Sequence, residues 1–303
     1  MDSEVYTNRK CVFCGASKLF HTHSGLFHPL RKNHGPFDFY VCNRCGSGLT
    51  LPPPSPESLR GLYDSFQSGL PEFHRQITQD DPQLGITDLC VRRITKLSGR
   101  RSDDFFSWID VGAGGGELSA ALSKCFPNSQ GIAVDLHERP QMLHGLNAVQ
   151  WIRADINAAD FAENIASRAD IVFSISVWEH VTAPDSFVQN LIRLLAKPGL
   201  IYLLAPNYGS LMRKILRDRW PYFTPGEHLF MPSIQGARAC LNRAWTTVSG
   251  ADADVRIDVR PTMLPYTIRY VARRLRIPGG RFIPKAWRIP FPAGALEAFL
   301  KSA

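Results

Sequence analysis

The chain of 303 residues lacks an apolar run long enough to cross a bilayer, and nothing in it resembles a secretory signal peptide. These absences argue against a membrane-spanning or a secreted protein, and we expect a reducing, cytoplasmic setting. Charged residues are also sparse, at 20% against 44% apolar, so a core of about 150 to 250 residues can form beside a smaller module. Acidic residues number 27 against 35 basic ones, which gives a formal net charge of +8.

The sequence also lacks the dinucleotide fingerprint G-x-G-x-x-G, in which helix-start amides face a pyrophosphate. In its place stands the run Trp108-Ile109-Asp110-Val111-Gly112-Ala113-Gly114-Gly115-Gly116-Glu117, followed by Gly131-Ile132-Ala133-Val134-Asp135. This order predicts a buried strand, a glycine turn, a helix and a second strand that ends in a carboxylate. Glycines let the backbone approach a ligand, and an acid at a strand end can accept hydrogen bonds from ribose hydroxyls. The pattern therefore predicts a nucleoside-containing cofactor.

Four segments in order resemble class I S-adenosylmethionine (SAM) methyltransferases. The spacing Asp110-x-Gly112-x-Gly114-x-Gly116 resembles motif I of that family, and Asp135 and Asp155 follow at the two acidic positions after it. The apolar strand 170–176 leads into Val177-Trp178-Glu179-His180-Val181, which resembles the motif IV segment. A helix over 184–196 then leads to Lys197-Pro198-Gly199-Leu200, which is similar to the turn before the fifth strand.

This resemblance implies a Rossmann-like α/β sheet with SAM bound at the carboxyl ends of its strands. It implies that Asp110 orders the glycine turn, that Asp135 binds the ribose hydroxyls and that Asp155 accepts from the adenine amino group. The full set of cofactor-binding residues that it implies is Asp110, Gly112, Ala113, Gly114, Gly116, Asp135, Leu136, Asp155, Ile156 and Ser174. Without the resemblance, a structural role explains each acid as well: Asp155 as a helix N-cap and Asp110 as a turn former at the end of a strand.

Two cysteine pairs stand near the amino terminus, Cys11-x-x-Cys14-Gly15 and Cys42-x-x-Cys45-Gly46. Four thiolates at this spacing are typical of a closed structural Zn²⁺ site, and the alternative is four free or disulfide-linked cysteines. The histidines between the pairs are assigned to a solvated loop, from which one could reach the cofactor domain: His21, His23, His28 and His34. The remaining cysteines, Cys90, Cys125 and Cys240, lack partner spacing and are read as buried small residues.

Together these features resemble a group of bacterial methyltransferases with an N-terminal zinc ribbon, found in surface-polysaccharide, deoxysugar and secondary-metabolite pathways. The stretch Pro225-Gly226-Glu227-His228-Leu229-Phe230-Met231-Pro232-Ser233 is similar to the "E-H-L-x-x-x-S" segment that helps close the substrate pocket in that group. The predicted organisation is a zinc ribbon over 1–51, a linker and helical cap over 52–106, a SAM-binding domain over 107–262 with an acceptor lid at 205–233, and a basic extension over 263–303.

Three finer expectations concern the carboxyl-terminal half. A basic helix is predicted at 211–219 inside the lid, a further helix at 232–244 and a late strand at 255–259. Residues 266–276 form a basic amphipathic pattern that suits a solvated face, an anionic membrane or lipid-linked sugar, or a nucleic acid. No structure is assigned to 284–303.

The implied activity is methyl transfer from SAM to a small-molecule or sugar acceptor, most readily at oxygen. The base candidates are His180, Glu179 and His228, with Tyr208 and Tyr222 as positioning groups. His180 is preferred because histidine titrates near neutral pH and the motif IV loop faces the acceptor. The competing role for Glu179 and His180 is structural.

Two alternatives remain open from the sequence. The first is a zinc-ribbon methyltransferase acting on ribosomal RNA, which the high pI of about 9.2 favours. The chain lacks an N-P-P-Y-type motif for methylating a planar base nitrogen, which argues against it. The second is a non-catalytic scaffold with the SAM fold, and the intact glycines and acids of the turn argue against that. Carbon methylation of a keto-sugar is disfavoured because the additional C-terminal domain of such enzymes is lacking.

Overall fold

A computed structural model describes residues 9–28, 34–67, 82–158, 160–165, 167–269, 272, 284 and 287–303. The strands are β1 (Leu19–Leu26), β2 (Phe37–Cys42), β3 (Gly48–Leu51), β4 (Ser107–Val111), β5 (Gln130–Asp135), β6 (Val149–Arg153), β7 (Ala169–Ile175), β8 (Leu195–Pro206), β9 (Phe230–Met231), β10 (Val255–Thr267) and β11 (Arg288–Ser302). The helices are α1 (Pro56–Gln67), α2 (Pro82–Ser98), α3 (Glu117–Cys125), α4 (Phe161–Ile165), α5 (Pro184–Arg193), α6 (Leu211–Leu216) and α7 (Ile234–Ser249), with 3₁₀ turns at Gln141–Leu143 and Arg217–Arg219.

A seven-stranded sheet forms the centre of the molecule, in the order β10-β11-β8-β7-β4-β5-β6. The strands from β4 to β8 are parallel to one another, and β11 runs antiparallel to both of its neighbours. Side chains alternate between the faces, so Trp108 and Phe173 pack on one side and Ile109 and Val172 on the other. This confirms the Rossmann-like α/β fold. The carboxyl ends of β4, β5 and β7 meet at one edge, where ligands bind in such sheets.

The strand β11 corrects the predicted domain boundary at residue 262. It lies between β8 and β10, deep in the sheet, although its residues fall in the segment expected to be a basic extension. Residues 293–300 are all buried because strands flank β11 on both edges and other residues cover both faces. The methyltransferase sheet therefore needs residues up to Ser302. Within the extension, 266 and 267 end β10 as a strand, and most of the predicted amphipathic helix at 266–276 lies outside the described residues.

The amino-terminal module is a four-stranded sheet, β1-β2-β3-β9, and its last strand comes from the predicted lid. The pairing of β3 with β9 joins Gly48 to Met231 and Leu49 to Phe230. The module is thus completed by residues more than 170 positions away in sequence, which the predicted boundary at residue 51 does not include. Several predicted elements agree with the structure within a few residues, among them α5, α6 and α7, while β10 runs eight residues beyond the predicted strand. None of the helices in the described ranges has the length and apolarity to cross a bilayer.

Candidate active site

The glycine turn joins β4 to α3 and is built on left-handed backbone. Gly112, Gly114 and Gly116 have φ values of 80°, 53° and 81°. A Cβ at Gly112 would lie 2.4 Å from Val177 Cγ2, whereas a Cβ on Gly114 would meet nothing within 4 Å. The first glycine is therefore required by packing against the loop after β7. The second leaves an open cradle beside the backbone, which is where a ligand can approach.

Replacing Gly112 with alanine is expected to destabilise the fold by about 2–4 kcal/mol, since a side chain there combines backbone strain with overpacking. Urea unfolding measures the change. Gly99→Ala is the matched control because Gly99 has φ of 72° with nothing within 4 Å, and it should cost only about 1 kcal/mol. Equal losses of unfolding free energy in the two variants would show that Val177 moves aside and that its close contact with residue 112 does not affect stability.

Asp135 stands at the carboxyl end of β5 and faces the turn. Its Oδ2 accepts from the Gly114 amide at 2.8 Å, and its Oδ1 accepts from the His137 amide at 3.2 Å. Leu136 contributes its carbonyl to Arg153 at 3.0 Å. A carboxylate already oriented by two backbone amides is the group expected to receive ribose hydroxyls. The structure therefore brings Asp135 and the glycine turn together.

Asp155 follows β6 and is exposed, with Oδ1 accepting from the Asn157 amide at 2.9 Å. This contact forms a local turn, whereas the alternative that the sequence allowed for Asp155 was a helix N-cap. Ile156 is half-buried beside it and packs against the core. Both residues lie beyond the end of β6, so the predicted adenine side of the site is at the same sheet edge as Asp135.

Asp110 and Ser174 are buried inside the sheet rather than at its edge. Asp110 accepts from the Ser119 hydroxyl at 2.7 Å, and Ser174 donates to the Val111 carbonyl at 2.7 Å. Burial raises the pKa of Asp110 to about 7, although the bond from Ser119 works in the opposite direction. Through these hydrogen bonds the two side chains join β4 to α3 and to β7, which is a structural role.

Glu179, His180 and His228 form a cluster after β7. One ligand atom from each lies within 4.8 Å of the others, the two imidazole rings are 4.7 Å apart between centroids, and His180 Nε2 is 3.9 Å from Glu179 Oε1. Glu179 is 1% exposed, and its Oε2 has no hydrogen-bond partner among the described residues. The structure therefore brings together all three residues that the sequence nominated as bases. Three such donors could also hold a metal ion.

Backbone carbonyls orient both rings of the cluster. His180 Nδ1 donates to the carbonyl of Glu227 at 3.1 Å, and His228 Nδ1 donates to the carbonyl of Tyr222 at 2.6 Å. With Nδ1 protonated in each ring, the neutral tautomer presents Nε2 as the acceptor. Burial and the nearby His228 lower the pKa of His180 to about 4, and burial lowers that of His228 as well. Both rings are consequently neutral at pH 7.

Burial has the opposite consequence for the carboxyl group of the cluster. It raises the pKa of Glu179 to about 8, so this side chain is protonated and neutral at pH 7. A protonated Glu179 cannot take a proton from an acceptor, whereas a neutral imidazole can. His180 is therefore the better-suited base of the two, because it is neutral. The reason for which the sequence favoured it, titration near neutral pH, is wrong, since its pKa is lowered to about 4.

The predicted positioning tyrosines line the lid. Tyr208 accepts from Arg213 Nη2 through its hydroxyl at 2.8 Å, with the guanidinium over its ring. The hydroxyl groups of Tyr222 and Tyr266 share a hydrogen bond of 2.7 Å, which ties the lid to β10. Tyr222 reaches the histidine cluster through its carbonyl rather than its hydroxyl. The two tyrosines thus shape the lid around the cluster.

The four predicted metal-binding cysteines, Cys11, Cys14, Cys42 and Cys45, converge at the base of the amino-terminal sheet. The Sγ atoms of Cys11 and Cys45 are 3.7 Å apart, and those of Cys14 and Cys42 are 3.5 Å apart. Zn–S bonds of about 2.3 Å in a tetrahedron separate sulfur atoms by about 3.8 Å. The donor set therefore fits a Zn²⁺ ion. Of the other cysteines, Cys90 and Cys240 are buried as predicted, but Cys125 is exposed, which corrects that assignment.

Sequence reasoning missed the position of His28. It was assigned to a solvated loop, yet it is 1% exposed and its Nε2 lies 2.8 Å from Glu227 Oε2. Its partner is 199 positions away in the chain, so no local signal could have revealed the contact.

A cleft of about 540 Å³ between α2 and the β10–β11 hairpin was also missed. Four arginines line it: Arg92, Arg93, Arg260 and Arg288. The buried carboxylate of Glu297 holds two of them, at 3.1 Å from Arg93 Nε and 2.7 Å from Arg260 Nε. Pro265 of β10 lines this cleft, and the next residue of that strand, Tyr266, bonds Tyr222 of the lid.

The strand order and the glycine turn define a Rossmann-like methyltransferase fold. A family model described as "Methyltransferase domain" matches residues 83–244, more than half of the chain, and the chain belongs to that family. The match runs from α2 into α7 and leaves β1, β2 and β3 of the amino-terminal module outside.

Two known proteins are similar in sequence to parts of this chain. It is 28% identical over 169 residues to trans-aconitate 2-methyltransferase of Azoarcus sp. strain BH72, a match covering 54% of this chain and 62% of that protein. It is 31% identical over 103 residues to ubiquinone biosynthesis O-methyltransferase of Pseudomonas aeruginosa strain UCBPP-PA14, covering 33% and 44%. The chain thus spans less than two thirds of either relative.

Among solved structures, the plantazolicin methyltransferase BamL, in complex with a triazolic desmethylPZN analog and SAH, superposes with a TM-score of 0.53. The identity is 16%, and the match covers 81% of this chain and 96% of BamL. At that identity, the likeness concerns the fold alone.

Proposed function

We propose that this chain transfers a methyl group from SAM to an oxygen of a small-molecule acceptor. One observation supports this above the others: the glycine turn with Asp135 and the Glu179–His180–His228 cluster occupy the same edge of the sheet, after β4, β5 and β7. The proposed cofactor site would then adjoin the proposed proton acceptor, a view that the close approach of Val177, after β7, to Gly112 supports. The family membership and the O-methyltransferase among its relatives agree with this assignment.

The residues at the turn would hold the cofactor. Gly114 offers an open backbone, Asp135 would bind the ribose hydroxyls, and Asp155 with Ile156 would meet the adenine ring. SAM supplies an electrophilic methyl group when it is bound. The protein's contribution is then to position the acceptor oxygen about 3 Å from that carbon and to remove its proton.

We propose that Nε2 of His180 receives the proton of the acceptor hydroxyl group. The Glu227 carbonyl fixes the tautomer of this ring, and burial keeps it neutral, so the nitrogen can accept a proton as the acceptor oxygen reacts. His228 packs edge-on against the same ring and shares its neutral state. Protonated Glu179 can donate a hydrogen bond within the cluster and adds no competing negative charge.

The acceptor that we propose carries a carboxylate or another anionic group. Two observations support this choice: one relative is a trans-aconitate methyltransferase, and four arginines line the cleft next to Tyr266, which bonds the lid. Sugar acceptors remain the next class to test. A candidate panel should therefore begin with hydroxy di- and tricarboxylic acids, in which a carboxylate would bind and a hydroxyl group would receive the methyl group, continue with phenols and catechols, and end with sugar nucleotides.

Label transfer from methyl-tritiated SAM tests the proposal. We expect tritium to enter at least one member of the panel and to fail to do so with Asp135→Ala. Transfer to RNA alone, with a steep loss of binding as salt rises, would contradict the small-molecule proposal.

The pH dependence of transfer tests the assignment of the base. His180→Gln should lower kcat by about 10²–10⁴-fold, because it removes the proton acceptor. Since the pKa of His180 is lowered to about 4, the ring stays neutral at pH 5.5, and wild-type kcat/KM at pH 5.5 should be close to its value at pH 7. An ordinary histidine would lose most of its activity at that pH.

Glu179→Gln provides the control for this prediction. Glutamine mimics the protonated acid, so transfer at pH 7 should change by less than about threefold. A loss as large as that of His180→Gln would show instead that the ionised carboxylate is needed, as a base or as a metal ligand.

We also propose that Cys11, Cys14, Cys42 and Cys45 hold one structural Zn²⁺ ion. Their sulfur spacing supports this, and four protein ligands leave no open position for chemistry. Metal analysis of gently purified protein should find close to one zinc per chain.

A further inference from the structure

The lid segment 226–233, which we call the strap, contributes β9 to the amino-terminal sheet and also contacts the loop after β7. On one side its Leu229 amide donates to the Glu179 carbonyl at 2.7 Å. On the other side, the Thr50 amide donates to the Leu229 carbonyl at 2.7 Å, and the Thr50 hydroxyl donates to the His228 carbonyl at 3.2 Å. The strap therefore connects the cysteine module to the cluster that the proposed chemistry uses.

Two histidines of the module hold the beginning of the strap. His34 Nε2 donates to the Gly226 carbonyl at 3.2 Å, while its Nδ1 accepts from the Ser58 hydroxyl at 3.2 Å. His28 Nε2 lies 2.8 Å from Glu227 Oε2, and the His28 amide donates to the His34 carbonyl at 2.9 Å. Gly226 has no room for a side chain, because a Cβ would lie 2.2 Å from Phe37 Cε2.

Glu227 is thus hydrogen-bonded through both its side chain and its backbone. Its carboxylate bonds to His28 in the module, and its carbonyl accepts from His180 Nδ1 in the cluster. Although burial alone raises the pKa of Glu227, the bond from His28 and the nearby His228 and His180 lower it to about 2. The carboxylate is therefore ionised at neutral pH, which makes its bond to His28 charge-assisted and short.

We infer that His28 is a positioning residue for methyl transfer: through Glu227 it fixes the ring of His180, so that the amino-terminal module forms one wall of the acceptor site. This rests on the proposed role of His180. The module is then part of the catalytic apparatus rather than a separate fold, although none of its described residues belongs to the cluster itself.

Hydrogen exchange and histidine NMR test this without knowledge of the acceptor. In His28→Ala we expect the amides of 226–231 to exchange at least about tenfold faster, and the slowly exchanging Nδ1 proton of His180 to vanish from the spectrum. His28→Gln retains a donor at this position and should restore both signals. His21→Ala is the matched control, since His21 contacts Ser24 and Tyr40 within the module, and it should change neither.

Kinetics separate a positioning role from a merely structural one. With an acceptor in hand, His28→Ala should lower kcat by about 10–100-fold while the Kd for SAM changes less than twofold. If His28→Ala does not fold, Glu227→Asp shortens the side chain that reaches His28, so it weakens the same contact from the lid side and should act in the same direction, less strongly.

If the amides of 226–231 exchange at the wild-type rate in His28→Ala and the Nδ1 proton signal of His180 is unchanged, the inference is wrong. It is also wrong if these amides exchange faster while kcat is unaltered. Failure of the proposed function would look different. In that case SAM would not bind to the wild-type chain, or His180→Gln would leave transfer intact.

Discussion

Asp135→Ala is expected to weaken SAM binding by at least about 100-fold. The variant removes the carboxylate that we propose accepts hydrogen bonds from two ribose hydroxyls, each such bond contributing about 1.5–3 kcal/mol. It also releases the Gly114 amide, which Asp135 holds at 2.8 Å, so the turn loses its orientation. Isothermal titration calorimetry with SAM and with SAH measures the change directly.

Asp160→Ala is the control, because this carboxylate is exposed and lies outside the turn. It should bind SAM with wild-type affinity. A Kd for Asp135→Ala within threefold of wild type would show that the ribose is bound elsewhere, and the cofactor site proposed at the end of β5 would have to be abandoned.

The second large effect is expected from breaking the cysteine cluster. Cys42→Ser should lose the bound zinc and lower the apparent melting temperature by about 10 °C, since closed zinc sites contribute folding free energy outright. The loss should extend past the module. Arg243 on α7 donates to the carbonyls of Val12 and Phe13 at 2.9 and 2.8 Å, so the first knuckle braces the methyltransferase domain as well.

Cys125→Ser serves as the matched control, because Cys125 is exposed and distant in sequence from the cluster. It should keep both the zinc and the melting temperature. Full zinc content in Cys42→Ser, or an unchanged melting temperature after complete zinc removal from the wild type, would contradict the structural role proposed for the metal.

Local patterns carried most of the fold prediction. The glycine turn, the strand ends at Asp135 and Asp155 and the segment at Glu179 and His180 are all specified by short stretches of sequence. Their chemistry is likewise local, because a left-handed turn needs glycine and a buried strand needs apolar residues. Local patterns also identified the three base candidates. Two of them follow β7, and the third belongs to the lid segment that resembles a known motif.

Long-range pairing explains what the sequence did not predict. The strand β11 contains two prolines near its start and a buried glutamate, so it does not read as an inner strand, and only pairing with β8 and β10 gives it that position. Glu297 can be buried because Arg93 and Arg260, from two other elements, neutralise it. The contact between His28 and Glu227 depends in the same way on residues far apart in the chain.

A crystal structure of the chain with SAM would show whether the cofactor and His180 share one edge of the sheet. We expect the ribose on Asp135 and the sulfonium methyl group pointing into the lid, within about 6 Å of His180 Nε2, which leaves room for one acceptor oxygen between them. A methyl group directed away from the cluster, or SAM bound without contact to Asp135, would contradict this expectation.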